Sequence, residues 1–288
     1  MAVPTTPTVA QIVTEALKRA GRTTPTSTQI TDATNNQLQE VKADIMLACP
    51  THPSLKATAT AVSQPGQQRY FVPDDFNEMD SITLLDGPEE WRGLARGGTP
   101  DTITLASTFS ANSLDVLGKY ILLTDGPGFT QYRQILNYTD STKVLYVDVD
   151  WSPTPTAATS YQVVTMHSTL WPLAVRTELD RVDNPTTLGT PRQAALQGEE
   201  FLLYPVPERA SYGLVSRYFV DLSMLDEAKP LFLRLLREWR SLWVQGIAVK
   251  SMQRYDEDRY QLELSVYTKM LDLLGTQTCT VRQMRQND

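Results

Sequence analysis

"LFLRLLREWRSLWVQGIAVK", residues 231–250, is the stretch on which the architecture turns. Phe232, Leu236, Trp239, Trp243 and Ile247 recur every three or four residues, so they share one face of an α-helix. Arg234, Glu238, Ser241 and Gln245 fall on the polar side. Leu231, Leu235 and Leu242 widen the apolar face beyond what one partner helix covers, which predicts burial against further elements or other subunits. After the charged corner "RYDEDR" (254–259) the spacing returns at Tyr260, Leu264, Tyr267, Leu271 and Leu274, and Gly275 is expected to end that helix. Two long amphipathic helices joined in this way predict an antiparallel helical hairpin.

Outward from the hairpin, the tail "TQTCTVRQMRQND" (276–288) has no apolar period and is expected to order only against a partner. At the other end, Val9, Ile12, Val13, Ala16 and Leu17 predict a first helix with Thr8 as N-cap and Gly21 as C-cap. A second helix is expected over residues 26–48, opened by Ser27 or Thr28 and stopped by Pro50 and Pro53. Its apolar stripe (Ile30, Ala33, Leu38, Val41, Ile45, Met46) is thinner. Strands follow in "TATAVS" (58–63), "RYFV" (69–72) and "MDSITLL" (79–85).

Residues 88–168 have a different texture, rich in Thr, Ser, Gly and Asp. Short strands ("TITLA", "KYILLT", "QYRQILNY", "KVLYVDV", "YQVVT") alternate with turns such as "TDGPGFT". That pattern predicts a small β-barrel or sandwich inserted into the rest. Further on, "STLWPLAVRTELDRVDNP" (168–185) resumes the core. "AALQGEEFLLYPVP" (194–207) reads as a hairpin turned at Gly198, with "YGLVSRYFVDL" (212–222) as its next partner. The expected class is α+β: a helical core over 1–87 and 169–275, made of N-terminal helices, strands and the C-terminal hairpin, an inserted β module over 88–168, and a docking tail over 276–288.

The adjacent carboxylates Asp74 and Asp75, in "RYFVPDDFNEMDSITLLDG" (69–87), first suggest acid/base chemistry. In an extended chain, neighbouring side chains point to opposite faces, so these two form no dyad and shape a turn after Pro73. His52 lies in a loop between prolines and His167 follows the last strand of the module. Neither belongs to a metal-binding spacing, and no metal or cofactor is expected. No GxSxG elbow is present, and "DGPGFT" is not a P-loop. "DVDW" (148–151) alternates acids on one face without the oxygen-rich loop spacing of a calcium site. Tyr132, Tyr138, Tyr146, Trp151 and Tyr161 either fill a small core or stack on sugars or bases. An enzyme reading rests on Asp148 with Asp150, or Glu199 with Glu200, as a glycan-cleaving pair. Catalysis is otherwise not expected.

The chain of 288 residues carries a net charge of −7, which argues against a dedicated nucleic-acid reader yet suits a wall past which DNA slides. No apolar run is long enough for a membrane span, and the N-terminus lacks the form of a secretion signal. Cys49 and Cys279 lie far apart and are expected to be reduced thiols.

The order of "TVAQIVTEALKRAG" (8–21), a second helix, "RYFVPDDFNEMDSITLLDG", "FLLYPVPERASYGLVSRYFVDLS" (201–223) and the helical hairpin resembles the head-to-tail adaptor (tail accessory factor) proteins of short-tailed bacteriophages. "GKYILLTDGPGFTQYRQILNYTDSTKVLYVDVDWSPTPTAATSYQVV" (118–164) is similar to a β module of phage structural proteins. The resemblance spans about residues 8–275 and lies in the order of elements rather than in any single motif. It implies a structural protein made in the host cytoplasm and located in the virion at the head–tail junction. There a homo-oligomeric ring, dodecameric by resemblance, sits under the portal protein and close to the DNA. The β part faces the tail nozzle, hub or fibres. Ring and helix packing falls to Phe232, Leu236, Trp239, Trp243, Ile247, Tyr260, Leu264, Tyr267 and Leu271, and portal docking to Arg282, Gln283, Met284 and Arg285. The inserted module makes the chain longer than a minimal adaptor. The alternatives are the glycan-cleaving tail component and a β module that binds a fibre or host glycan.

Overall fold

A computed structural model describes residues 7–170, 186–210, 212–252 and 257–286; the side chains of 166–169, 257–258 and 277–286 lie outside that description. Helices and strands both contribute, giving a mixed α+β chain with a curled sheet. Two compact units divide it: Met1–Ala57 with Asp74–Glu78 and Tyr218–Asp288, and Thr58–Pro73 with Met79–Arg217.

The first unit is mainly helical. Helix α1 (Val9–Arg19) opens at Thr8, whose hydroxyl accepts from Gln11 N while the Gln11 side chain accepts from Thr8 N. Gly21, at φ +95°, turns the chain where the helix stops. The expected single helix over 26–48 is instead two, α2 (Ser27–Asn35) and α3 (Gln37–Ala48), opened by Thr26 rather than Ser27 or Thr28. The break falls at Asn36 (φ −115°, ψ −67°), whose backbone N–H and side-chain amide both donate to Asp32 O and cap the first of the two helices.

The stretch 231–250 likewise divides, into α5 (Pro230–Glu238) and α6 (Arg240–Met252), with Trp239 in a non-helical C-cap conformation between them. α6 is buried on almost every side: Leu242 through Val249, then Ser251 and Met252, are all inside. It packs on α1, α3 and α7 (Glu257–Gln286). The width of its apolar face is therefore used up within the unit.

α7 runs through Gly275, where the sequence predicted a stop. That glycine has no positive φ. A Cβ there would stand 3.1 Å from Ala48 O, so the residue permits close approach to the end of α3 rather than terminating a helix. With no proline beyond it, the helix continues to Gln286, and the tail expected to lack order of its own is helical.

Asp75 does more than shape a corner. Asp74 is exposed, but Asp75 is buried, accepts from the Tyr218 hydroxyl at 2.8 Å and from Lys229 Nζ at 3.0 Å, and its carbonyl accepts from Asp221 N. Lys42, 2 % exposed, donates to Leu225 O and Glu227 Oε1, each at 3.3 Å, and lies over the Phe232 ring. These two buried charges pin the loop 221–229 to α3 and to the turn at 74–75. Each has the partners that a desolvated charge requires.

The second unit holds most of the strands. In its largest sheet the order is β1 (Lys56–Val62), β15 (Gly213–Val220), β3 (Phe76–Asp86), β10 (Ser160–Thr169), β7 (Tyr120–Asp125), β8 (Tyr132–Thr139), β9 (Val144–Val147), β6 (Thr102–Thr104) and β5 (Gly97–Thr99), with β4 (Arg92–Leu94) also on β10. Strands β4 and β5 and the short helix α4 (Ser113–Val116) were not legible in the sequence. The turn after β7 matches expectation, with Gly126 and Gly128 at positive φ. Residues between Ala95 and Val163 share one core, which includes Phe109, Tyr138, Trp151 and Tyr161.

The hairpin at Gly198 (φ +63°) forms from β12 (Gln193–Gln197) and β13 (Glu200–Tyr204), as expected. Its other neighbour is β2 (Arg69–Phe71), not 212–222; Phe201 faces Tyr70 across that pair, and the rings stack at 5.5 Å. The 212–222 stretch supplies β15 of the larger sheet instead. The strand "GLVSRYFV", buried at every position but Arg217, suits a sheet interior covered on both faces, and hairpin adjacency in sequence did not reveal that. Of the resumed segment 168–185, residues 171–185 lie outside the described residues.

Buried hydroxyl and thiol groups set the alkaline behaviour. Burial, then the Asp44 carboxylate to which its hydroxyl donates at 3.1 Å, raise the Tyr267 pKa above the usual phenol value. Burial and the bond to Asp75 do the same for Tyr218. Burial pushes the Cys49 thiol up to about 11 from 9.0. Each group keeps its proton when folded at a pH where the unfolded chain has released it, so unfolding gains from rising pH. The contribution of the thiol is complete below pH 9 and is lost between pH 9 and about 11; the phenols extend the fall above that. Thermal midpoints measured from pH 8 to 11 should decline over that window, and less steeply in Tyr267→Phe. A flat profile would contradict the burial described.

Candidate assembly surface

The helical unit orients α7 by a set of polar contacts along one side. Buried Gln245 on α6 donates from Nε2 to Glu263 O at 2.9 Å and to Glu263 Oε2 at 2.8 Å, and Glu263 Oε2 also accepts from Arg19 Nη2 at 3.1 Å. The Gln245 hydrogen bond first, and then Arg19, hold the Glu263 carboxyl below the usual carboxylate range. One turn on, Tyr267 packs where Gly246 has no side chain: a Cβ there would lie 2.8 Å from the Tyr267 ring. Its hydroxyl reaches Asp44, which also pairs with Lys250 at 2.9 Å. Leu274 is buried, and Gly275 meets Ala48 O. These contacts fix the rotation of the helix about its own axis.

That rotation leaves Leu262, Val266 and Leu273 outside, with Leu262 70 % and Leu273 65 % exposed. At 3.6 residues per turn the three fall within about 40° of one another, roughly 120° round the helix from Tyr267 and Leu274. α7 is thus two-sided, with one apolar face turned inward and a second, narrower stripe turned to solvent. Its 30 residues extend about 45 Å at 1.5 Å per residue. Leu47, next in the chain to Ala48, is exposed as well.

The residues expected from sequence to serve ring and helix packing are a different set. Phe232, Leu236, Trp243, Ile247 and Tyr267 are buried, and Leu264, Leu271, Tyr260 and Trp239 are partly so. Trp243 donates from Nε1 to Leu235 O at 3.1 Å and its ring lies 5.7 Å from Phe232. Trp239 meets the edge of His52 at 5.1 Å. These residues build the unit's interior. The signal for the outward stripe was present at 262, 266 and 273, a second set at helical spacing, but the stronger period at 260, 264, 267, 271 and 274 hid it. Arg282, Gln283, Met284 and Arg285 belong to α7, with side chains outside the described residues.

Within the β unit, Tyr138, Trp151 and Tyr161 fill the core, whereas Tyr146 is exposed and Tyr132 packs against Tyr120 at 5.9 Å. A shallow cleft of about 580 Å³ is lined by Thr58, Thr60, Tyr120, Tyr132, Gln134 and Asp148. Asp148 Oδ1 accepts from Gln134 N at 2.9 Å, the Asp150 carbonyl accepts from Arg133, and Glu200 pairs with Arg69 at 3.1 Å. Among the described residues no three His, Cys, Asp or Glu side chains gather where a metal could bind, and no helix is long and apolar enough to cross a membrane. A scan against protein-family models and a search of curated proteins each return no match to the chain.

Proposed function

We propose that this chain is a structural head-to-tail adaptor of a tailed-phage virion, whose copies form a ring beneath the portal protein, extend the DNA channel and provide attachment for tail nozzle or fibre proteins. The observation that carries the reading is the exposed stripe Leu262–Val266–Leu273 on a long helix whose other apolar face is already satisfied inside. Exposed apolar stripes of this kind are covered by partners in assembled proteins. A ring needs one surface on each copy that meets a different surface on the next, closing by rotation. In this reading α6 and α7 form an antiparallel hairpin that presents the stripe. The β4/β5 stretch meets β10 at one end and β6 at the other, closing the module into a small barrel that faces the tail. The net charge of −7 keeps passing DNA from adhering. No reaction centre is required.

The helical extension beyond Gly275 is the portal anchor, with Arg282 and Arg285 suited to fork-shaped pairing with carboxylates. Deleting residues 276–288 should abolish co-sedimentation with portal-bearing particles while leaving circular dichroism and thermal midpoint close to those of the full chain. Unchanged portal binding after the deletion would overturn the anchoring role.

A further inference from the structure

We propose that the β unit contains an oxyanion site built from Arg92, Arg209 and Gln162, and that its ligand is inorganic phosphate. Arg92 opens β4, which pairs with β10 so that Gln162 stands directly opposite it, on the same face of the sheet. Among the described residues only Arg92 Nη1 of this guanidinium has a partner, Glu89 Oε1 at 3.6 Å. Nε and Nη2, the two donors of the guanidinium's side-on edge, are buried without one. That edge offers two parallel N–H groups spaced for the oxygens of a carboxylate or phosphate.

Arg209 supplies a third donor. Its Nη2 donates to Asp86 Oδ1 at 2.6 Å and its Cζ lies 4.7 Å over the Tyr212 ring, but Nε is buried without an acceptor among the described residues. Asp86 is already engaged, since the same oxygen accepts from Gly87 N at 2.8 Å. Burial first, and then the Arg209 charge, depress the Arg92 pKa against the opposing pull of Glu89 and Asp86, which places the two guanidiniums within electrostatic reach of each other. Buried donors without acceptors are uncommon and mark the place of a bound water or ion.

Gln162 sets the choice among anions. It is fully buried, and its Nε2 donates to Gly87 O at 3.0 Å. A carbonyl only accepts, so the amide cannot be turned round, and Oε1 is left as a buried acceptor without a donor. The ligand must therefore present acceptors to three N–H groups and one donor to Gln162. Inorganic phosphate does this at neutral pH, because it keeps one P–OH after its second ionisation. Sulfate has no proton, a phosphate monoester, with a second pKa of about 6, has largely lost its last one at neutral pH, and a phosphodiester has none. The burial of Gln162 also restricts the site to a small anion.

The test uses the full chain at pH 7.5, titrated calorimetrically with sodium phosphate and, at matched ionic strength, with sodium sulfate and glycerol phosphate. Phosphate should bind at one site. Sulfate and the monoester should bind roughly tenfold or more weakly, the effect of leaving one buried acceptor unpaired. Arg92→Met should remove phosphate binding. If that variant fails to fold, the anion comparison on the unaltered chain decides alone. Equal binding of phosphate and sulfate, or no heat with either, would overturn the proposal.

Discussion

Replacing Leu262 and Leu273 together by glutamate should leave a folded protein that no longer assembles. Both side chains are largely exposed and neither takes part in the contacts that orient α7, so the change should alter stability by less than about 0.5 kcal/mol each. In a ring, each leucine moves from water into an interface, worth about 1.5–3 kcal/mol by apolar area. Losing both weakens each subunit contact by roughly 3–6 kcal/mol, a factor of about 10² to 10⁴ in affinity. Buried carboxylates facing apolar surface add to that loss. Light scattering and electron microscopy in the presence of portal particles would follow the ring, and circular dichroism the fold. Rings that form normally from the double variant would remove the stripe from the account.

Trp243→Ala should do the reverse, damaging the fold itself. Trp243 is fully buried beside Phe232 on a helix packed by α1, α3 and α7, and its indole N–H donates to Leu235 O near the end of α5. Truncation leaves a large cavity and removes one of the two hydrogen bonds to Leu235 O, which keeps that from Trp239 N, at about 3–5 kcal/mol. For domains of this size that lowers the melting temperature of the helical unit by roughly 6–20 °C. Loss of assembly would follow from unfolding, at temperatures where the glutamate double variant stays intact. A change of only a degree or two would show that α6 is less tightly enclosed than its burial indicates. Read together, the two variants separate residues that build the unit from residues that connect it to others.

Much of this was legible in the sequence, and where it was not the causes are local. The helical period at 231–250 and 260–274 identified the final helices, and turn residues located the hairpins after β7 and at Gly198. The breaks at Asn36 and Trp239 were not visible, because apolar spacing runs straight through both and only the backbone conformation reveals them. Gly275 looked like a stop because glycine ends many helices; here it serves close packing against Ala48, a tertiary fact with no sequence signature.

Asp75 is similar. Its place in a turn was readable, but its pairing with Tyr218 and Lys229 joins residues 143 and 154 positions away. The candidate surface was hardest. A wide apolar face does not say which neighbour covers it, and Phe232, Leu236, Trp243, Ile247 and Tyr267 of the face chosen from sequence are buried within the helical unit. What remained outside was a weaker stripe on the same helix.

The most direct measurement is electron microscopy of the purified chain mixed with portal-bearing particles. The account predicts a closed ring of copies seated on the portal, with α7 at the contact between neighbouring subunits. Particles with bare portals, and a chain that stays monomeric beside them at concentrations well above those of assembly, would contradict it.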